Sequence, residues 1–283
     1  MTTKTMNVAH VKTLTGPSAE PLFDLRLVAV AVDPNDLVYM LGDDRVRCFT
    51  SEGEPVRNFQ LDALGWSLLA EEDKLWIGFD GKVRSYSPDG KPLTIIADAR
   101  LGRITSIASA GESLVLADST NRAVHRYSRD GKYLGDMGAE ANTRGFMIPN
   151  GILDLARDPS TGSVVVAHPQ KHRVERYDAA GPLLSKWGRF GMHEPGDFGG
   201  CCNPTNIAVA QEGMIAVSEK APPRIKLYDG DGNLELVVDE EVFDPNTKNI
   251  DLAFDSKNRL YATDPLRKVV EVFELQESEE SEP

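Results

Sequence analysis

The feature that most restricts this chain is a landmark repeated along its length. A β-branched residue is followed three positions later by an aromatic and, four positions after that, by glycine. It reads Val46–Phe49–Gly53, Val83–Tyr86–Gly90, Val124–Tyr127–Gly131, Val174–Tyr177–Gly181 and Ile225–Tyr228–Gly232. A sixth copy, Val270–Phe273, has no glycine after it. A repeat of this kind marks a chain built from stacked units, each too small to bury its own apolar surface.

Each landmark sits in the same local pattern. A strand before it ends in a small residue and a polar one: Gly42-Asp43, Ala117-Asp118, Ala167-His168, Ser218-Glu219 and Thr263-Asp264. The second unit departs, with Gly78-Phe79-Asp80. An apolar strand lies upstream, as at 27–33, 207–210 and 250–255, and a short strand follows the glycine. Turns such as Pro88-Asp89-Gly90 and Arg129-Asp130-Gly131 tolerate the positive φ of tight hairpins. No segment sustains the 3.6-residue apolar period of a core helix.

The pattern predicts an all-β fold, a six-bladed propeller of four-stranded antiparallel blades, as a single domain over residues 1–275. Landmark residues three apart point to opposite faces of their strand, so each sheet packs on both sides. The sixth copy lacks its last strand, and the alternating segment 7–14 has no unit of its own. It is expected to complete blade six and close the ring, which removes open sheet edges. Residues 276–283, acidic and without apolar side chains, are expected to be a disordered tail.

Composition narrows the partners. The formal charge is −13, which disfavours nucleic acid. The longest apolar run, Leu27 to Val32, is too short for a membrane span, and no apolar segment follows the N-terminus as a secretory signal would require. A cytoplasmic location is expected, or an exported one if a leader has been removed. The three cysteines do not make a disulfide framework. Gly-x-Ser-x-Gly, His-Glu-x-x-His and a phosphate-cradling loop are all missing.

The run Pro204-Thr205-Asn206-Ile207-Ala208-Val209, then Ile215 to Glu219, then Arg224-Ile225-Lys226-Leu227-Tyr228-Asp229-Gly230-Asp231-Gly232, resembles the NHL repeat. Leu116-Ala117-Asp118-Ser119-Thr120-Asn121-Arg122 repeats it in the third unit. Gly200-Cys201-Cys202-Asn203-Pro204 with Ser218-Glu219-Lys220 is similar to a bacterial subgroup of such proteins. The resemblance implies a six-bladed propeller and no single function. NHL propellers include RNA readers, protein-binding modules, a zinc-holding lyase domain and sensors. Related gluconolactonase-type propellers hold a divalent metal in the central channel.

Three sets of residues are candidates for a site. The aromatic landmarks stand 37, 41, 50, 51 and 45 residues apart, so the two long steps flank the fourth unit. They hold the insertions 138–149 and 188–204, on the same face as the blade-four hairpin 167–172. That topology gathers His168, His172, His193, Cys201 and Cys202. A second set starts the innermost strands: Ala29, Ser67, Ser106, Asp154, Asn206 and Asp251. Its oxygen-bearing members suit a hard divalent cation, so Asp154, Asn206 and Asp251 are candidate channel ligands. A third set ends the second strands: Asp43, Phe79, Asp118, His168, Glu219 and Asp264. Acidic residues there suit capping of the next turn, and His168 breaks the series.

Cys201-Cys202 admits three readings: two reduced thiols, a redox-labile vicinal disulfide, or ligands to a soft metal together with His193 or His168. Three functions follow. The first is a binding or scaffold module presenting a face near blades four to six, including Glu219 and Lys220, to a protein or small-molecule ligand. The second is a divalent-metal-dependent hydrolase or lactonase with His168 as channel-side base. The third is a redox or thiol-metal protein using Cys201 and Cys202.

Overall fold

The computed structural model describes residues 3–238 and 240–280. They form six four-stranded antiparallel sheets. Within each sheet successive strands run from the innermost outward, and the inner strands of neighbouring sheets line a common channel. The strand Thr3–Leu14 pairs antiparallel with Val269–Glu280 and forms the outer edge of the sheet holding Leu252–Phe254 and Leu260–Asp264. The first strand of the chain therefore completes the last blade and closes the ring.

Both closing strands are longer than expected. The first begins at Thr3, and the second continues past Gln276 to Glu280. The acidic stretch 276–280 is thus paired strand rather than tail, because Thr3 to Asn7 lie alongside it. Residues 281–283 lie outside the described residues.

The landmark explains the packing. In every blade the β-branched residue and the aromatic enter different core clusters, one on each face of the sheet. Val46 of blade one packs with Tyr86 of blade two. Val83 packs with Tyr127, Val124 with Tyr177 and Val174 with Tyr228. Ile225 packs with Phe273, and Val270 with Phe49 closes the circle. Each junction between blades is thus a branched aliphatic against an aromatic. Burying one such aromatic is worth roughly 3–5 kcal/mol against alanine. The glycines that follow sit in turns at positive φ; at Gly232 (φ 90°) an added Cβ would also lie 2.4 Å from the Trp187 ring.

Loops joining first to second and third to fourth strands lie at the bottom of the ring. Blade-to-blade loops and second-to-third hairpins lie at the top. The top therefore carries both insertions and the hairpin Pro169–Lys171 of blade four.

Candidate functional site

The six aligned inner-strand positions, Ala29, Ser67, Ser106, Asp154, Asn206 and Asp251, all line one cavity of about 200 Å³ at the top mouth of the channel. Asp154, Asp251 and Ser106 also line a cavity of about 500 Å³ at the bottom mouth, which places them at the waist. Arg26, Trp66, Lys248 and Asn249 surround the top opening. The guanidinium carbons of Arg26 and Arg103 lie 4.5 Å and 3.9 Å from the Trp66 ring centre.

These side chains stitch blade to blade. Ser67 donates to the Ile104 carbonyl (2.8 Å) and Ser106 to that of Leu155 (3.0 Å). Asp154 accepts the Ile207 N–H (2.8 Å), and Asn206 donates to Asp251 (3.2 Å). Asp251 accepts the Val30 N–H (2.8 Å). Alanine at position 29 cannot take part; Arg26 instead donates to the Gly65 carbonyl (2.7 Å) and completes the circle. Burial pushes the Asp154 carboxyl up to about 6. Burial, reinforced by the charge of Asp154, holds Asp251 well above the usual carboxylate range. Asn206 Oδ1 is buried without a hydrogen-bond partner. The waist is therefore rich in acceptors and reluctant to carry two negative charges.

The residues ending the second strands clamp the top loops. Asp43 accepts the N–H groups of Asp24, Leu25 and Arg26. Asp118 accepts that of Gly102, and Asp264 that of Asp244. His168 does the same with a ring nitrogen: Nε2 accepts the Met147 N–H (2.9 Å), while Nδ1 meets Glu175 at 3.0 Å. Acceptance at Nε2 places the ring proton on Nδ1, donated to Glu175. With both nitrogens engaged and the ring fully buried, His168 does not line either channel cavity. The expectation of a channel-side base at His168 is thus corrected: it is a clamp on the 138–149 insertion.

In blades three to six the residue ending the second strand also meets a charged or imidazole partner. Asp118 faces His125 (3.5 Å), His168 faces Glu175, and Glu219 faces Lys226 (3.2 Å). In blade six Arg267 bridges Asp264 and Glu271. Burial works against the Glu175 carboxylate, but hydrogen bonds from His168, Tyr177 and Asn142 hold it down to about 2. The third-strand partners were missed in the sequence, although each lies seven positions after its clamp.

The insertion 188–204 is folded on such a pair. Lys226, fully buried, donates to the Asp197 carbonyl (2.6 Å) and lies 5.6 Å from the Phe198 ring centre. Phe198 packs against the contacting rings of Trp187 and Tyr228, and the Tyr228 hydroxyl donates to the Gly196 carbonyl. Burial lowers the Lys226 ammonium despite Glu219. His172, at the end of the blade-four hairpin, meets Phe190 edge-on at 5.0 Å. The hairpin does lie between the two insertions, with His168 toward one and His172 toward the other.

His193 is exposed in the insertion. Cys201 is exposed, Cys202 is buried, and both are free thiols. Among the described residues no three His, Cys, Asp or Glu side chains come together to hold a metal. The soft-metal set His193, Cys201 and Cys202 is therefore not assembled here, and neither is a vicinal disulfide. Asn203 ties the cysteines to the next hairpin: it donates to the Gly199 carbonyl (2.8 Å) and accepts the Lys220 N–H (3.0 Å).

No protein-family profile matches the chain. Among curated proteins it is similar to the E3 ubiquitin-protein ligase NHLRC1 of Rattus norvegicus and of Mus musculus. Each is 31% identical over 91 residues, which span 31% of this chain and 21% of the relative. Among solved structures, a structural-genomics protein of unknown function from Bacteroides thetaiotaomicron superposes with a TM-score of 0.67 at 14% identity, covering 97% of this chain and 77% of that one. The WD40 β-propeller domain of Doa1 gives 0.60 at 13%, covering 87% and 78%. Streptogramin B lyase gives 0.60 at 9%, covering 96% and 98%. These structural likenesses show the propeller fold alone. No helix of the described chain is long and apolar enough to cross a membrane.

Proposed function

We propose that the chain is a protein-binding module that engages its partner with the top face. One observation carries this reading: among the described residues, every large apolar side chain exposed on a loop belongs to that face. Leu25 (83% exposed), Leu64, Phe190, Met192 (69%) and Leu266 all lie on blade-to-blade loops or the blade-six hairpin. The other exposed large apolar residues lie on outermost strands, such as Val56, Leu93 and Leu184. Apolar loop tips gathered on one face, around a channel mouth rimmed by Arg26 and Lys248, suit a protein interface. The partial likeness to NHLRC1 supports the same class. The surface includes the insertion beside blade four, with His172, His193 and Lys220 near it, and extends to blades one, two and six. Selection from a displayed peptide library tests the proposal. Selected peptides are expected to lose binding to a Phe190→Ser/Met192→Ser variant and to keep it with Glu112→Arg on a bottom turn. Equal binding to both variants would overturn it.

The unpartnered Asn206 Oδ1 beside two carboxylates supports a second reading, a hard divalent cation held by Asp154, Asn206 and Asp251. Three oxygen donors fit such an ion with water completing its shell. Calcium or magnesium would then raise the melting temperature of the wild type and not of Asn206→Leu.

A further inference from the structure

We propose that Cys201 and Cys202 form a peroxide-reactive dithiol, with Cys201 the attacking thiol, Cys202 the resolving thiol and Lys220 the cation beside them. The chemistry rests on placement. Cys201 is open to solvent, and its chain neighbour Cys202 is buried. Cys202 adopts a left-handed backbone (φ 72°), unusual for a residue with a Cβ. The fully buried Asn203 then fixes both sides of the pair, through the Gly199 carbonyl and the Lys220 N–H. Asn203 thereby holds the Lys220 backbone beside the pair, so that the Lys220 side chain starts next to Cys201. The hydrogen bond from Cys202, followed by the charge of Lys220, lowers the Cys201 thiol. Burial raises the Cys202 thiol. An exposed, cation-stabilised thiolate beside a resolving thiol is the arrangement that reacts with hydroperoxides. The third cysteine provides contrast: Cys48 lies in the core between blades one and two, its thiol pushed up to about 11 by burial.

The steps balance. The Cys201 thiolate attacks an oxygen of a hydroperoxide, the O–O bond breaks, and the alcohol (water, for hydrogen peroxide) leaves with a solvent proton. Cys201 is now a sulfenic acid. The Cys202 sulfur attacks it, the S–O bond breaks, and water leaves carrying the Cys202 proton. Two electrons pass from the two thiols to the peroxide, and an S–S bond joins adjacent residues. Two equivalents of a small-molecule thiol then reduce the S–S bond by thiol–disulfide exchange, restoring both cysteines and leaving the small molecule as its own disulfide.

The experiment treats the whole chain with equimolar hydrogen peroxide, alkylates it after unfolding and maps the peptides by mass spectrometry. The peptide carrying both cysteines is expected to lose two hydrogens and resist alkylation, while Cys48 remains fully alkylated. Cys202→Ser should stop at a sulfenic acid on Cys201 that dimedone traps. Lys220→Met should slow the reaction about three- to tenfold. Oxidation of Cys201 no faster than that of free cysteine, or its passage to sulfinic acid with Cys202 still reduced, would overturn the proposal. The wild-type mapping decides the matter even if a variant fails to fold.

Discussion

Asp251→Asn tests the channel waist most directly. Buried Asp154 and half-buried Asp251 lie near one another and are both held above the ordinary range, Asp154 at about 6. A group whose folded pKa is raised contributes stability that is complete below its unfolded value and lost as pH rises through the folded value. For Asp154 the rise from 3.8 to about 6 is about 3 kcal/mol at about 1.4 kcal/mol per unit. That stability disappears between about pH 4 and pH 7. Carboxylates held low act in the other direction. Glu175 and Asp158, both at about 2, contribute above about pH 4 and lose that contribution as pH falls. The protein should therefore be most stable in mild acid and weaken toward neutrality and beyond. Asparagine at 251 removes one charge and keeps an oxygen for the Val30 N–H. Asn206 can turn its amide so that the now unpartnered Oδ1 accepts from the new side chain. Urea denaturation followed by tryptophan fluorescence, from about pH 5 to about pH 8, measures the effect. The variant should gain on the wild type by about 1–3 kcal/mol across that range. A constant difference between the two proteins, or a wild type that grows more stable toward pH 8, would refute the reasoning.

The other expectations rest on packing and pairing. Lys226→Met leaves Glu219 paired with Arg224 and strips the Asp197 carbonyl of its buried donor; it should cost about 1–3 kcal/mol and open residues 188–204 to limited proteolysis. Gly232→Ala adds a Cβ at φ 90° against Trp187, so the unfolding free energy from urea denaturation should fall by more than the roughly 1–2 kcal/mol of left-handed strain alone. Tyr228→Ala, which empties the junction between blades four and five, should cost about 3–5 kcal/mol and broaden the thermal transition seen by calorimetry.

The fold was legible because packing between blades is written into two residues per repeat. Val174 and Tyr228 lie 54 residues apart and share one cluster, as the opposite-face geometry of their strands requires. The inner-strand alignment was legible for the same reason, and all six positions line the channel. Chemistry at the top was less so. His168 breaks a row of acids in the sequence, yet it performs their task, because an imidazole nitrogen accepts an N–H as a carboxylate does. Lys226 and Phe198 were passed over because a lysine in a strand and a phenylalanine among glycines have no meaning until the insertion folds onto them. The strand beyond Gln276 was hidden by its acidic composition: pairing with Thr3 to Asn7 overrides local propensity.

The clamps also explain why the two faces of the ring differ. Bottom connections are tight turns whose residues are dictated by backbone geometry, as in the Asp229–Gly232 turn, where Asp229 accepts the Asp231 and Asn233 N–H groups. Such turns leave little freedom for side chains that recognise anything. At the top, in every blade but the second, one buried side chain holds the incoming loop near its root: Asp43, Asp118, His168 and Asp264 through backbone N–H groups, and Lys226 through a carbonyl. The tip of the loop is then free of the core, while Phe146 and Phe198 near the clamps stay packed in it. The loop can lengthen, as residues 138–149 and 188–204 have, and it can expose Phe190 and Met192 without disturbing the landmark packing below. Loops anchored at the root and free at the tip make the top the face on which binding specificity can be built.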